Sequence, residues 1–260
     1  MKRLLDAHDP RRFARCTLAL VAVCAGGTLV AALAGPRPSE PDLADVVTAR
    51  LHPRGAFALA MNPAAGGAAY TVEVLTAEQL DGRAQRRDRW HVDRQLPAAL
   101  RRSAEAYRHT PFDRGHLAAA ANYHGQAERD ATFVTSNIVP QHPAANRRAL
   151  AAIEAHIRAD VDRTHDVVVV TVPVYEAPLE YLSTDRQAIG IPAAIGKAAL
   201  RLDHGRPDHL RAWIVPNRAD APSDPDDCRT SVDALETAAQ LELFDALLDD
   251  ATEAEWEARR

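Results

Sequence analysis

The apolar residues of the chain fall into short runs separated by turn residues, a pattern that indicates a sheet-containing fold. Residues 56–61 and 69–75 are two such runs, and the segment Asn-Pro-Ala-Ala-Gly-Gly lies between them at 62–67. Asparagine, proline and glycine favour the backbone conformations that tight turns require. The pattern therefore predicts a β-hairpin that opens the sheet.

Four consecutive valines mark the centre of that sheet, within residues 166–175. A strand buried on both faces carries a continuous apolar run of this kind, whereas a half-exposed strand alternates apolar and polar positions. Residues 189–199 and 209–215 are two further strand candidates.

Helical periodicity is clearest over residues 146–162, where apolar side chains recur at spacings of three and four. The stripe consists of Leu150, Ile153, Ile157 and Val161. A second helix is expected over residues 231–248. The mixture predicts one α+β domain in which helices flank a mixed, mainly antiparallel sheet.

The N-terminal segment has a different character, because residues 16–34 are nineteen consecutive uncharged positions that follow Lys2 and four arginines. This order of charge and apolar run is that of an export signal, and the run is also long enough to span a bilayer. Ala32 and Ala34 have the spacing of a cleavage site. We predict that residues 1–34 are a signal peptide or a membrane anchor, and that the protein is exported, either secreted or extracytoplasmic. The proline-containing residues 35–49 are expected to form a linker.

Composition excludes several classes of protein. Hydrophobic residues make up 47% of the 260 positions and charged residues 26%, which rules out a disordered, collagen-like or multi-span membrane protein. The three cysteines form no CxxC pair, so a structural zinc site is not expected.

The net charge of −5 conceals an uneven distribution. Residues 83–116 contain nine arginines against four acidic residues, whereas residues 220–260 contain thirteen acidic residues against three arginines. A basic block of this kind permits one face to bind a polyanion.

The chemistry of the chain is concentrated in two segments. The first contains Asp-Arg-Gly-His at 113–116, and the second contains Ser-Asn-Ile-Val-Pro-Gln at 136–141 followed by Asn146 and Glu154. This ordered set closely resembles that of the DNA/RNA non-specific endonucleases, the ββα-metal or His-Me finger group. The likeness extends over residues 50–248, including an arginine-aromatic-aspartate segment around Trp90. It departs at Val172, where such proteins usually carry glycine.

The resemblance implies a ββα-metal motif within an endonuclease domain at residues 50–250, followed by a tail at 251–260. It also implies phosphodiester hydrolysis, with DNA as the substrate and RNA left open as a second one. Such hydrolysis requires a base, a cation and positive groups that hold the backbone. His116 is the candidate base, since an imidazole titrates near neutral pH.

Asn146 is the candidate ligand of one divalent cation, Mg²⁺ or another such as Mn²⁺, through its side-chain oxygen. Its alternative role is that of a helix N-cap. Glu154, two turns further along the same predicted helix, is a candidate catalytic residue that could hold metal-bound water. Its alternative is an ion pair with Arg158 at i,i+4.

Arginines are the candidate phosphate ligands, because a guanidinium pairs with two phosphate oxygens at once. Arg114 in the motif is assigned to catalysis, and Arg86, Arg87 and Arg158 are assigned to substrate binding, with Arg89 as a further candidate beside Trp90. Asn137 is expected to orient His116 or its neighbours, and its alternative role is that of a turn residue.

These assignments predict an exported, metal-dependent, non-specific endonuclease. The alternative is a catalytically silent, membrane-anchored nucleic-acid-binding or DNA-uptake protein with the same fold. The membrane is a partner only if residues 16–34 remain uncleaved.

Overall fold

A seven-stranded antiparallel sheet forms the centre of the fold in the computed structural model, which describes residues 18–21, 30–33, 50–51, 56–182, 188–241 and 243–244. The strands are β1 (Leu18–Val21), β2 (Val30–Leu33), β3 (Arg50–Leu51), β4 (Ala58–Asn62), β5 (Gly67–Leu75), β6 (Asp113–His116), β7 (Ile138–Gln141), β8 (His165–Val174), β9 (Glu180–Leu182), β10 (Ile189–Ile191), β11 (Ala194–Asp203), β12 (Arg206–Pro216) and β13 (Arg229–Thr230). The order in the large sheet is β13-β12-β11-β8-β5-β4-β3. The predicted α+β class with a mainly antiparallel sheet is confirmed.

The predicted hairpin and the predicted central strand are both present. β4 and β5 pair antiparallel, and residues 63–66 form the turn between them. β8 occupies the middle of the sheet, and its residues 167–174 are all buried. The valine run is buried on both faces because helices cover both sides of the sheet.

The helices are α1 (Gln126–Ala131), α2 (Ala151–Ala159) and α3 (Val232–Ala239), and a π-helical turn, Ala145–Leu150, leads directly into α2. On one face of the sheet, Val168, Val170 and Val172 pack in one cluster with residues of α3. On the other face, Val167 and Val169 pack in a cluster with the π turn and α2. This second face also carries the candidate site.

The largest differences from the predicted boundaries are in three elements. The strand predicted at 189–199 is two strands, β10 and β11, separated by residues 192–193, where Pro192 has no N–H for a sheet hydrogen bond. The helix predicted at 146–162 is a π turn followed by an α-helix that ends at Ala159. The helix predicted at 231–248 ends at Ala239, because Gln240 adopts a left-handed conformation that stops it.

Little of the predicted export segment falls within the described residues. β1 and β2 pair as a separate two-stranded sheet inside it. The rest of residues 1–34, the linker at 35–49 and the tail at 251–260 lie outside the described residues. Among the helices in the described ranges, none has the length and apolar character needed to cross a bilayer.

Candidate active site

The candidate site is built on β6, β7 and the helical segment that follows them. β6 pairs antiparallel with β7, so that His116 lies opposite Ile138 and Asp113 lies opposite Gln141. The chain then turns into the π segment, and Asn217 fixes this turn: its Oδ1 accepts a hydrogen bond from the His142 N–H (2.6 Å) and its Nδ2 donates to Pro140 O (2.9 Å). Two strands and a helix thus carry the two predicted motif segments side by side.

Gly115 is required by the close packing of β6 on β7. A Cβ atom at this position would lie 2.0 Å from Cδ of Gln141, a buried side chain whose Nε2 donates to His116 O (3.3 Å). Only glycine leaves room for this approach. Steric contact with Gln141 therefore explains why glycine precedes the histidine in the motif.

His116 lies in an aromatic environment. Its ring centroid is 5.0 Å from that of Trp90 and 5.0 Å from that of Phe133. Its Nε2 is buried and has no hydrogen-bond partner within the described residues, which is uncommon for a buried polar atom. Burial, together with the positive charges of Arg86 and Lys197, lowers the pKa of His116 to about 3, although Asp88 acts in the opposite direction. The imidazole is therefore neutral at physiological pH and able to accept a proton.

Two of the predicted arginines flank this aromatic group. The Cζ atom of Arg114 lies 5.9 Å from the centroid of the Trp90 ring, and that of Arg86 lies 5.6 Å from the centroid of the Phe133 ring. Arg114 also donates through Nε to Ala104 O (3.0 Å), and the exposed Arg86 pairs with Asp88. Both guanidinium groups are therefore placed near His116, on rings that His116 itself contacts.

Arg87 and Arg158 have other partners. The exposed Arg87 lies 3.8 Å from a carboxylate oxygen of Asp130 on α1. Arg158 donates through Nη1 to Oδ1 of the buried Asn122 (2.9 Å). The geometry thus favours Arg86 over Arg87 as the arginine from the 83–94 segment that is closest to the chemistry.

Asn137 holds the backbone that follows His116. Its fully buried side chain accepts from the Ala118 N–H (2.9 Å) and donates to Ala118 O (2.9 Å) and Thr132 O (3.0 Å). Its own carbonyl accepts from the Leu117 N–H (3.0 Å). These bonds tie Asn137 to the two residues that follow His116.

Asn146 is oriented by a buttressed carboxylate. Its Nδ2 donates to Oδ2 of Asp113 (2.9 Å), while Arg147 binds both oxygens of the same carboxylate (2.9 and 2.6 Å). Burial alone would raise the pKa of Asp113, but hydrogen bonds from Arg147 and Asn146 lower it below its usual value. The predicted N-cap alternative for Asn146 is wrong, since Ala144 occupies the cap of the π turn.

This orientation fits a divalent cation. Because the amide nitrogen is used by Asp113, the side-chain oxygen Oδ1 is the atom that Asn146 can offer, and a neutral hard oxygen suits Mg²⁺. The described part of the chain contains no group of three or more His, Cys, Asp or Glu side chains that could hold a metal. A cation on Asn146 would therefore draw its remaining ligands from water and from a substrate phosphate.

Glu154 pairs with a residue that the sequence analysis did not assign to the site. Its Oε1 lies 3.3 Å from the Nζ of Lys197, a side chain that is only 1% exposed. The predicted alternative, an ion pair with Arg158, is not among the contacts of the described residues, where Arg158 instead bonds Asn122. Lys197 belongs to β11, within the strand predicted at residues 189–199.

A second buried charge-bearing group, Glu73, lies on the same face of the sheet. Its Oε1 accepts from Asn122 Nδ2 (3.0 Å) and lies 2.9 Å from the Tyr123 hydroxyl. That hydroxyl also lies 2.6 Å from Ala56 O, so its single proton has two oxygen neighbours. Burial raises the pKa of Glu73 to about 7, although Lys197, Asn122 and Tyr123 lower it. When Glu73 is ionised, Tyr123 can donate to it; when Glu73 is protonated, its carboxyl can donate to Tyr123, and the Tyr123 proton is then available to Ala56 O.

The Glu73→Gln variant tests this protonation. Folded Glu73 holds its proton up to about pH 7, whereas an exposed glutamate has a pKa of about 4.5, so the contribution of Glu73 to stability is present below pH 4.5 and lost as the pH rises to 7. Glutamine resembles the protonated form at every pH. Relative to wild type, the variant should gain on the order of 3 kcal/mol in unfolding free energy between pH 4.5 and pH 8.

Urea unfolding at several pH values measures this difference, and the opposing contribution of His116 is common to both proteins and cancels. The exposed Glu180→Gln is a control for the substitution itself. A difference between Glu73→Gln and wild type that stays constant from pH 4.5 to pH 8 would show that Glu73 does not titrate in this range.

Comparison with known proteins agrees with the geometry. The family model described as DNA/RNA non-specific endonuclease matches residues 45–250. The chain is 31% identical over 179 residues to human mitochondrial endonuclease G, covering 65% of this chain and 60% of that protein. It is 30% identical over 140 residues to the nuclease of Serratia marcescens, covering 53% of each.

The fold has a solved counterpart, a structure of the EndoG/EndoGI complex that concerns EndoG inhibition. The likeness has a TM-score of 0.67 at 25% identity, and it covers 78% of this chain and 88% of the other. The matched family model spans both motif segments and the strands and helix that carry them. The chain belongs to the DNA/RNA non-specific endonuclease family.

Proposed function

We propose that this protein is an exported, divalent-metal-dependent endonuclease that hydrolyses the phosphodiester bonds of DNA and RNA with little sequence preference. One observation carries the proposal: a neutral histidine with an unpaired buried nitrogen lies on the ββα motif beside two arginines. His116 is that histidine, and Arg86 and Arg114 flank it through the rings it contacts.

His116 acts as the general base. Its neutral imidazole takes a proton from a water molecule as that water attacks phosphorus. The bond from phosphorus to the 3′-oxygen breaks, and the leaving 3′-oxygen takes a proton from water. A phosphodiester that approaches the ring brings negative charge and raises the pKa of His116 from its value of about 3 in the free protein, which makes the imidazole a better base. Asn137 keeps the backbone after His116 in place during this transfer.

Arg114 and Arg86 hold the phosphate by charge and hydrogen bonding. Contacts of this kind position a nucleic acid without reading its bases, which supports slight sequence preference. The same contacts do not depend on the sugar, so DNA and RNA are both accommodated.

Asn146 would hold the cation through Oδ1, oriented by Asp113 and Arg147. When bound, Mg²⁺ or Mn²⁺ would offset the negative charge that develops on the phosphate and on the leaving oxygen. Glu154 lies two turns further along the helical segment, and its Oε1 pairs with Lys197. Its role in the proposal is to orient water near the cation.

Export is part of the proposal and rests on the N-terminal sequence. A basic segment is followed by nineteen uncharged residues that end at Ala34. Ala32 and Ala34 have the spacing of a signal-peptide cleavage site. The arginines before the run predict that everything after it crosses the membrane.

Closed circular DNA and RNA are the substrates that test the proposed activity. With Mg²⁺, the purified protein should nick and linearise the circle, which has no ends, and degrade the RNA. With EDTA, both should remain intact. A circle that is shifted in mobility but never cut, with or without Mg²⁺, would favour the catalytically silent binding protein.

A further inference from the structure

Polar groups interrupt the apolar face of the central sheet directly beneath the ββα motif. Lys197 on β11 pairs in register with Thr171 on β8, and Thr171 in turn pairs with Thr71 on β5. All three side chains are at most 1% exposed. Their neighbours on the same strands, such as Ile195 and Val169, belong to the apolar cluster that packs against α2.

Lys197 contacts three separate parts of the chain. Its Nζ donates to Thr171 Oγ1 (2.9 Å) and to Leu117 O (3.2 Å), and it lies 3.3 Å from Glu154 Oε1. An ammonium group has three N–H donors, so the three contacts match its full capacity. One buried cation thereby joins the central sheet, the residue after His116 and the helix that carries Glu154.

Burying the Lys197–Glu154 ion pair costs free energy of desolvation. A buried ion pair is often no more stabilising than well-packed apolar side chains of the same volume, since both charges lose their hydration. The surrounding positions on β11 are apolar. Packing alone therefore does not explain an ammonium at this position.

The geometry points to Lys197 as a positioning residue, which fixes the spacing between the backbone at His116 and the carboxylate of Glu154. Asn137 holds the backbone after His116 from one side, through Leu117 N–H and Ala118. Lys197 holds the carbonyl of Leu117 from the sheet side. This role rests on the proposed function of His116 and Glu154, to which it adds the group that couples them.

The test compares Lys197→Met with Arg201→Met in the full chain. Methionine keeps the length of the lysine side chain and removes its charge. Arg201 also lies on β11, but it pairs with Asp208 (3.0 and 2.7 Å) away from the motif, so its variant removes a cation from the same strand without touching the site. We expect Lys197→Met to lower kcat on DNA by about 10- to 100-fold with little change in KM, and Arg201→Met to retain kcat.

A second readout does not need cleavage. In the metal-free protein, the His116 imidazole ¹H–¹³C resonance should move in Lys197→Met and stay in place in Arg201→Met, because a nearby positive charge and the support of Leu117 O are both lost. If wild type cuts no nucleic acid at all, the proposed function fails, and this resonance still decides the role of Lys197.

Thr171→Val serves if Lys197→Met does not fold. It removes one acceptor of the ammonium while keeping the side-chain shape and the charge of Lys197. A smaller loss of kcat at unchanged Tm supports the positioning role. The positioning role is overturned if folded Lys197→Met has a kcat within twofold of wild type and an unmoved His116 resonance. If Lys197→Met does not fold, the same result in folded Thr171→Val overturns it.

Discussion

Replacing His116 by alanine is expected to lower the rate of phosphodiester hydrolysis by about 10²- to 10⁴-fold, the usual contribution of a general base. The variant removes the one imidazole that lies beside Arg114 and Arg86 on the motif. Because the ring packs on Trp90 and Phe133, some loss of stability accompanies the change, and Tm is measured beside kcat.

His209→Ala is the matched control for this variant. His209 is also a half-buried histidine, and burial together with Arg201 also lowers its pKa, with Asp208 acting in the opposite direction, but it lies on β12 away from the motif. Its replacement should leave kcat unchanged. Equal losses in the two variants would mean that the effect of His116→Ala comes from altered folding and not from lost base catalysis.

Replacing Asn146 by alanine is expected to produce the second large loss. The variant removes the oxygen that would hold the cation, whose charge stabilisation is worth several kcal/mol in sites of this kind, so we expect roughly a hundredfold to a thousandfold lower kcat at fixed Mg²⁺. It also leaves Asp113 with Arg147 alone, which preserves the buttress on β6.

Metal binding separates this role from a purely structural one. Mn²⁺ binding, followed by electron paramagnetic resonance in the absence of nucleic acid, should weaken in Asn146→Ala and stay unchanged in Asn62→Ala. Asn62 is a suitable control because its Oδ1 accepts a hydrogen bond from Ala65 N–H (3.1 Å) in the first hairpin turn. An Asn146→Ala variant that binds Mn²⁺ and cuts DNA as wild type does would exclude Asn146 as the ligand.

The secondary structure could be predicted where the local sequence pattern of apolar and turn residues specifies it. The valine run of β8 and the turn between β4 and β5 are local signals, and the structure contains both. The end of α3 has no such local signal, since Gln240 is a residue that ordinarily continues a helix. The predicted helix is therefore longer than the observed one, which ends at Ala239 before the left-handed Gln240.

The site could be predicted in its motif residues but not in its support. His116 and Asn146 stand in a recognisable order along the chain, whereas their partners come from distant strands and loops. Lys197 is 80 residues from Leu117 in sequence, and Glu73 is 49 residues from Asn122. A lone lysine in an apolar strand does not indicate which carbonyl or carboxylate it meets in the fold.

Arg158 illustrates the same limit from the opposite direction. The helical spacing of four residues suggested that it pairs with Glu154. In the fold, the buried Lys197 forms the ion pair with Glu154. Arg158 instead donates a hydrogen bond to Asn122, and Asn122 donates one to Glu73. Helical spacing alone therefore did not predict the partners of Glu154 and Arg158, which lie outside their helix.

The most direct test of the proposed mechanism is a set of four reactions on supercoiled plasmid. Wild type and His116→Ala are each incubated with Mg²⁺ and with EDTA, and cleavage is read on a gel. Binding is measured separately by mobility shift. We expect that only wild type with Mg²⁺ relaxes and linearises the plasmid, while His116→Ala binds it without cutting. Cleavage by wild type in EDTA, or cleavage by a folded His116→Ala at the wild-type rate, would contradict it.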